Sequence, residues 1–456
     1  MRKIKRRSML KSLGGVSLGG LIPFQPSPGS HGQFLDGKVT ETETDVLVVG
    51  GGTAGVIAAL QAARAGCSTV IVENGSQLGG TITTGGVSFP GLFYAWGKQV
   101  VGGIGWELVQ DVVKLNDDQM PDFSVPYGTQ HPLHQVRING FLYALLAEEK
   151  CLAAGIRLRY YETPLNVQAL KEGWEVETVG KGIHNRIRCK QLIDCTGNAF
   201  VCSLAGFKLL QEEETQPGTI IFLLEGYDID SLDKKRIEEL YRHALDNGEL
   251  KPGDASTGIL HMLGQKGDNA QHTFGADSTT SETHTATNIA GRESLLRMLR
   301  FVRTLPGCET TRLVSMQPET AVRETYRIDG EYQITLQDYI GGRVFEDALS
   351  YSFYPIDLHD ENGVRPDHLQ EGIVATVPLR SLVPRSSRNF LVAGRCVSSD
   401  RLANSALRVQ CSCMGMGQAA GAAAALACKL NSSPTSVPLE EIRQLITKHG
   451  GIVPTK

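Results

Sequence analysis

The sequence predicts an α/β fold: a parallel sheet assembled from two separated stretches of chain, with an α+β domain inserted between them. Three observations predict it. Residues 45–73 read as strand, glycine-rich turn, helix and strand. A short apolar run opening into a glycine turn returns at 389–394. Between 207 and 371, helix and strand signals mix without that alternation. Strand–helix alternation is the pattern of a parallel sheet covered by helices, and its interruption marks an insertion.

In order along the chain, residues 45–49 form an apolar run that ends in glycines, as a strand buried on both faces does. Residues 56–65 are alanine-rich and helical in composition, and 68–72 form a second strand ending at Glu73. A helix is expected over 137–154, with Phe141, Leu142, Leu145 and Leu146 as its buried face. Strands follow at 156–161, 174–179 and 186–194, the last feeding the turn Cys195-Thr196-Gly197. The stretch 264–288, rich in Thr, Ser and His, reads as loop. After the strand at 389–393 and the turn at Gly394, an Ala- and Gly-rich helix is expected over 414–430. No internal repeat is visible. The expected divisions are therefore 1–37 as export signal and linker, 43–206 and 372–430 as two parts of one domain, 207–371 as the substrate domain, and 431–456 as a helical tail.

Composition excludes several classes. A chain with 41% hydrophobic and 21% charged residues is an ordinary globular protein. A net charge of −4 gives no basis for nucleic acid as a partner. Beyond the N-terminal segment no apolar stretch of membrane-spanning length is expected. The ten cysteines include no Cys-x-x-Cys, so zinc and iron–sulfur ligand spacings are missing and no metal is expected. Arg2, Lys3, Lys5, Arg6, Arg7 and Lys11 stand together without an acidic residue. The run Lys5-Arg6-Arg7-Ser8-Met9-Leu10-Lys11 resembles a twin-arginine export signal, which implies the periplasm or beyond. A basic tail without that role is the plainer reading.

The first chemical motif is Gly50-Gly51-Gly52-Thr53-Ala54-Gly55. Gly50 permits a tight turn, Gly52 lets a diphosphate approach the backbone, and Gly55 lets helix and strand pack closely. The amides of Thr53 and Ala54 open the helix, whose N-terminus attracts phosphate. Glu73, at the end of the second strand, is placed to bind ribose hydroxyls. Strand, turn, helix, strand and acid in this order form the Rossmann-type dinucleotide unit. A second turn at Gly79-Gly80 follows the acid, resembling the element that two-dinucleotide-binding flavoproteins add. This glutathione-reductase-like, discontinuous arrangement favours FAD over NAD, and no second Gly-x-Gly-x-x-Gly follows a strand.

The C-terminal part carries a further resemblance. Val377-Pro378-Leu379-Arg380-Ser381-Leu382-Val383-Pro384 precedes Phe390-Leu391-Val392-Ala393-Gly394-Arg395. Asn404-Ser405-Ala406-Leu407-Arg408-Val409 and Cys413-Met414-Gly415-Met416-Gly417-Gln418-Ala419-Ala420-Gly421 follow. With the stretches 322–332 and 354–359, these resemble the bacterial FAD-dependent oxidoreductase family, distantly like fumarate reductase flavoproteins. The resemblance covers most of 43–430. It implies that Thr196, Gly197, Gly394 and Arg395 lie by the FAD. It also implies that the 406–408 backbone, with Ala406 and Leu407, and a helix start near Met414 lie under the flavin. Gln410-Cys411-Ser412 departs from the Met-Pro-Thr common in relatives, and Cys195 replaces a common alanine.

Hydride transfer from a carbon bearing a hydroxyl or amine needs a base. His359 is the candidate, because Asp357 two residues earlier shares its face on an extended segment and can orient the imidazole. Structural hydrogen bonds at a domain junction explain the pair equally. Arg323 and Arg327 could hold an anionic group if helical; salt bridges with Glu324 and Glu331 explain them as well. His272 and His284 are expected on the polar loop, exposed or facing substrate. Cys413 reads as a packed thiol at a helix start. The expected activity is hydride transfer between a small organic substrate, such as a sugar or other alcohol, and FAD, with an electron partner the sequence does not identify. The alternative is a dinucleotide-binding non-redox protein or lyase.

Overall fold

The computed structural model describes residues 39–125, 130–360, 363–364 and 366–455. The expected export segment lies outside the described residues. Strand β1 (Thr40–Val49) starts with alternating Thr and Glu and ends in the buried run Val46, Leu47, Val48 and Val49. Helix α1 (Thr53–Arg64) and β2 (Thr69–Glu73) follow, then α2 (Ile104–Leu115), α3 (Gly140–Ala153) and β3 (Arg157–Tyr160). Strands β4 (Thr163–Ala169), β5 (Trp174–Gly180) and β6 (Ile183–Asp194) complete the first part. The sheet runs β3-β2-β1-β6-β5-β4. From β3 to β6 it is parallel, and β4 and β5 extend it as an antiparallel pair.

A second core forms within 220–308, gathered around Phe222, Ile237, Met262, Leu295, Met298 and Phe301. Its elements are β7 (Phe222–Glu225), α4 (Lys234–Asp246), β8 (Gly267–Asp268), α5 (Ser281–Val302) and β9 (Arg312–Met316). Strand β7 lies between β8 and β9, antiparallel to both. The loop expected over 264–288 is thus cut short by α5. Thr280 caps that helix, accepting from the amide of Thr283, and satisfies a donor that otherwise has no intrahelical partner.

The chain then returns to the main sheet. Strands β10 (Ala348–Ser352) and β11 (Ala375–Pro378) pair antiparallel, and β12 (Phe390–Val392) lies parallel to β6, with Val392 opposite Asp194. Val49 of β1 also stands opposite Asp194, so three strands end at one level. Helices α6 (Arg401–Leu407), α7 (Gln410–Leu430) and α8 (Leu439–Lys448) follow. By length and composition α7 could cross a membrane, unlike the expectation from sequence, but 83% of its apolar window is buried inside the protein. It packs on α1 backbone to backbone. A Cβ on Gly417 or Gly421 would overlap the carbonyl of Ala54 or Ala58.

Helix α3 corrects a second expectation. Phe141 and Leu145 are exposed, and the face turned to the core is Tyr143, Ala144, Ala147 and Cys151. Leu142 and Leu146 are partly buried against the same core, so of the four expected residues only Phe141 and Leu145 turn to solvent.

Candidate active site

The three strand ends release three turns into one cavity of about 560 Å³. That is within the ~300–1,000 Å³ of small-molecule sites, and it lies outside the carboxyl ends of parallel strands, where such folds bind ligands. At one end stands the first glycine turn. Gly50 has φ +99°, and a Cβ there would collide with the carbonyl of Cys195. Gly55 packs against the carbonyl of Gly50, so both are steric requirements of the turn. Gly52 differs: a Cβ there meets nothing within 4 Å, and α1 has no side-chain cap. The helix therefore offers free amides to an open cradle, which fits a diphosphate.

Glu73 lines the same end. Its carboxylate accepts the amides of Gly51 at 2.7 Å and Gly75 at 2.6 Å. Burial raises its pKa, against the lowering effect of those amides. The second turn docks on the first, with the amide of Gly79 donating to Gly51 O at 2.8 Å and Gly80 lining the cavity. The middle wall is the turn Cys195-Thr196-Gly197. Buried Asp194 fixes it by accepting from Thr196 N at 2.9 Å, Thr196 Oγ1 at 2.7 Å and Cys202 N at 3.0 Å. Arg395, beside Gly394, donates to Gly197 O at 2.9 Å, to Asn198 Oδ1 at 2.8 Å and to Val322 O. Arg395 thereby ties the turn to the segment that carries Arg323.

At the far end the chain brings together residues remote in sequence. His359 Nε2 lies 3.2 Å from Asp357 Oδ2, and Arg408 Nη2 donates to the same oxygen at 3.2 Å. His359 Nδ1 lies 3.2 Å from His272 Nε2, and the backbone N–H of His359 donates to Gln216 Oε1 at 3.1 Å. Burial drives the pKa of His359 down to about 4, with Arg323 adding to the shift and Asp357 opposing it. Burial drives His272 down to about 3, again with Arg323 adding. Burial alone would raise Asp357. The hydrogen bond from His359 and the charge of Arg408 outweigh it and hold the carboxyl well below the usual range. Both imidazoles are neutral at pH 7. With Asp357 ionised, His359 Nε2–H donates to it, Nδ1 accepts from His272 Nε2–H, and His272 Nδ1 is left as an acceptor. That last atom is buried and has no hydrogen-bond partner among the described residues.

Several expectations change at this resolution of detail. Thr53, Ala54, Glu73, Gly80, Thr196, Gly197, Gly394, Arg395, Asp357, His359 and Arg323 line the cavity, with Gly50 and Gly52. Gly55 and Gly79 support turns without lining it. Ala406 and Leu407 are fully buried and do not line it either; Arg408, one residue on, does. Helix α7 begins at Gln410, not near Met414, so Val409, Gln410 and Cys413 reach the cavity while Met414 packs against Gly105 of α2. Burial pushes the Cys413 thiol up to about 12, which leaves it protonated and inert at neutral pH.

Arg323 and Arg327 are not on a helix and make no pairs with Glu324 and Glu331. Arg327 pairs with Glu212 at 2.5 Å, and Glu324 pairs with Arg401 at 3.0 Å. Sequence reasoning missed Gln216 and the role of the Arg408 side chain, of which only the backbone was expected near the cofactor. His272, expected to be exposed or facing substrate, is buried against His359 and is not among the residues that line the cavity. A histidine in a polar stretch carries no local mark of burial, so only contact with His359 reveals it. His284 does line the cavity, 4.0 Å from Glu319.

Comparison with known proteins places this geometry. No curated protein sequence matches the chain. A geranylgeranyl bacteriochlorophyll reductase-like protein from Thermoplasma acidophilum aligns at 13% identity over 90% of this chain and 85% of its own, with TM-score 0.43. The p-nitrophenol 4-monooxygenase of Pseudomonas putida aligns at 12% identity over 90% and 87%, with TM-score 0.41. The anhydrotetracycline hydroxylase of Streptomyces rimosus matches at 17% identity and TM-score 0.29, and there this chain covers only 37% of the hydroxylase's length. Likenesses this remote carry no functional argument. The sequence profile described as FAD dependent oxidoreductase, in contrast, matches residues 45–446. With a dinucleotide cradle that fits FAD at the ends of a parallel sheet, the chain belongs to the FAD dependent oxidoreductase family.

Proposed function

We propose that this oxidoreductase transfers a hydride between a small organic substrate bearing a hydroxyl, such as a sugar or other alcohol, and its FAD. The observation that carries the reading is one cavity running from the open cradle at Gly52 to the cluster of Asp357 and His359. When bound, FAD supplies the two-electron acceptor for a hydride leaving carbon. The cofactor is held in this reading by the turns at 50–55, 79–80, 196–197 and 394–395, by Glu73, and by the start of α7. Residues 207–371 provide the substrate-side wall.

His359 acts as the base. Asp357, itself held by Arg408, fixes the ring and stabilises the imidazolium that forms. A substrate hydroxyl that parts the two rings donates to Nδ1 of His359 and accepts from Nε2–H of His272. The 3.2 Å bond it replaces is at the long end of the hydrogen-bond range. Burial lowers the dielectric around this transfer and keeps water from competing. We include export in the proposal: the basic run at residues 2–11 resembles a twin-arginine signal, which would suit a protein loaded with its cofactor before it leaves the cytoplasm.

The test is anaerobic reduction of the bound flavin by a panel of alcohols and sugars, followed by loss of its visible absorbance. His359→Gln should slow the active donor by about 10²–10⁴-fold while the protein stays yellow. An unchanged bleaching rate in that variant would remove His359 from the chemistry.

A further inference from the structure

The charges lining the cavity are sorted by position. Glu73 and Glu319 are near enough for Glu319 to raise the pKa of Glu73, so the acids gather at the cradle end. Arg323, Arg395 and Arg408 gather at the other end, where Arg408 lowers the pKa of both Arg323 and Arg395. Only Asp357 stands against these guanidinium groups, and Arg408 already shares it at 3.2 Å. Glu324, next to Arg323 in sequence, is taken by Arg401. Arg395 spends its donors on the neutral oxygens of Gly197, Asn198 and Val322.

Arg323 is the group left without a paired anion: Asp357 acts on it only through space, its oxygen being taken by His359 and Arg408. It is only 9% exposed. Its Nη1 donates to Pro217 O at 2.5 Å and Thr219 Oγ1 at 3.0 Å, both neutral. No carboxylate lies within ion-pair distance of it among the described residues, and its Nε and Nη2 make no hydrogen bond there. A buried cation without a counter-ion costs several kcal/mol, and a guanidinium stays protonated at neutral pH even so. The planar fork that remains open matches a carboxylate with two parallel hydrogen bonds. Arg323 also acts on His359 and His272 directly, since its charge lowers the pKa of each. Arg323 and His359 also line the same cavity, so the fork and the base border one space.

We propose that the substrate is a small hydroxy acid, its carboxylate held by Arg323 and its hydroxyl presented to His359. This deepens the reading above and rests on it for the role of His359. In the oxidative direction the O–H proton passes to His359 and the carbinol C–H leaves as hydride to the bound FAD. The C–O bond becomes C=O, so a hydroxy acid becomes an oxo acid and FAD is the oxidant that takes both electrons. The anion also orients the reacting carbon, because a bidentate ion pair fixes two atoms of a small substrate at once.

The experiment uses the yellow holoprotein. Malonate, a carboxylate with no oxidisable hydroxyl, is titrated while the flavin spectrum and the binding heat are followed. Saturable binding is expected, weakened about 10- to 100-fold in Arg323→Ala and less in Arg323→Lys. Lactate should then reduce the flavin faster than 1,2-propanediol in the wild type, and Arg323→Ala should lose that preference. Absence of malonate binding, or equal affinity in wild type and Arg323→Ala, overturns the proposal. So does tighter binding of inorganic phosphate than of malonate, which would assign the fork to a phosphorylated substrate. Colourless Arg323→Ala and Arg323→Lys proteins would assign it to the cofactor and overturn it too. The two readings fail separately. If propanediol bleaches the flavin in a His359-dependent way and malonate does not bind, only the hydroxy-acid assignment falls. If malonate binds through Arg323 and no alcohol reduces the flavin, the anion site stands and the hydride reading falls.

Discussion

A histidine that is neutral at pH 7 because it is buried leaves a mark on stability. Unfolded histidines titrate near 6.5, whereas His359 folds with a value of about 4 and His272 with about 3. Between those values the unfolded chain binds more protons than the folded one, so stability rises with pH across that window. It is lost as the pH falls from about 6.5 toward 4, by roughly 3 kcal/mol for His359 if the whole shift is expressed. Chemical denaturation at pH 7 and pH 4.5 should show His359→Gln losing less stability than wild type over that interval. Equal losses would mean that His359 is not held neutral. The Asp357–His359 pairing was legible from spacing alone, because two residues on an extended segment face the same way. His272, 87 residues from His359, and Arg408, 51 residues from Asp357, were not. No periodicity spans such separations.

Glycines show at the scale of elements how one residue type serves two ends. Gly52 borders empty space, while Gly421 lies against the carbonyl of Ala58. Gly52→Val should therefore leave the melting temperature of the cofactor-free protein nearly unchanged and abolish flavin retention, since the branched side chain fills the cradle. Gly421→Val should instead destabilise the protein by about 1–3 kcal/mol through overpacking of α1 against α7. Thermal melts with and without FAD separate the two, and a Gly52→Val protein that stays yellow would remove the cradle from the binding site. The misread elements have definite causes. Helix α3 is apolar on more than one side, and pattern alone could not say which side is buried. Helix α5 opens with polar residues whose partners are tertiary: Thr287 bonds to Asp277 and Ser294 to Asp254. Its one local signal was the Thr280 cap three residues before Thr283. For α7, a start four residues earlier than expected moved Met414 from the cavity to the core.

The whole molecule closes its cavity with segments from the first turn, the 269–284 and 319–323 stretches and the C-terminal part. A ligand touching all of them links the unfolding of parts that otherwise have separate cores. FAD at a free concentration of 100 times its Kd should add about 2.7 kcal/mol to stability. The same addition should merge the unfolding of the 220–308 core with that of the main sheet in calorimetry. A cofactor-independent melting profile would show that FAD does not bridge these parts.

What the sequence determined by itself was the dinucleotide unit: β1, the turn at 50–55, α1, β2 and Glu73. Each rests on neighbours within about thirty residues and on backbone angles that glycine adopts and other residues resist. The tertiary structure alone decided the far end of the cavity. Placing His272, Asp357, His359 and Arg408 together, and leaving Arg323 without an ion-paired carboxylate, required chain segments from both parts of the molecule to meet. Burial and electrostatic environment are properties of that meeting and have no local signature.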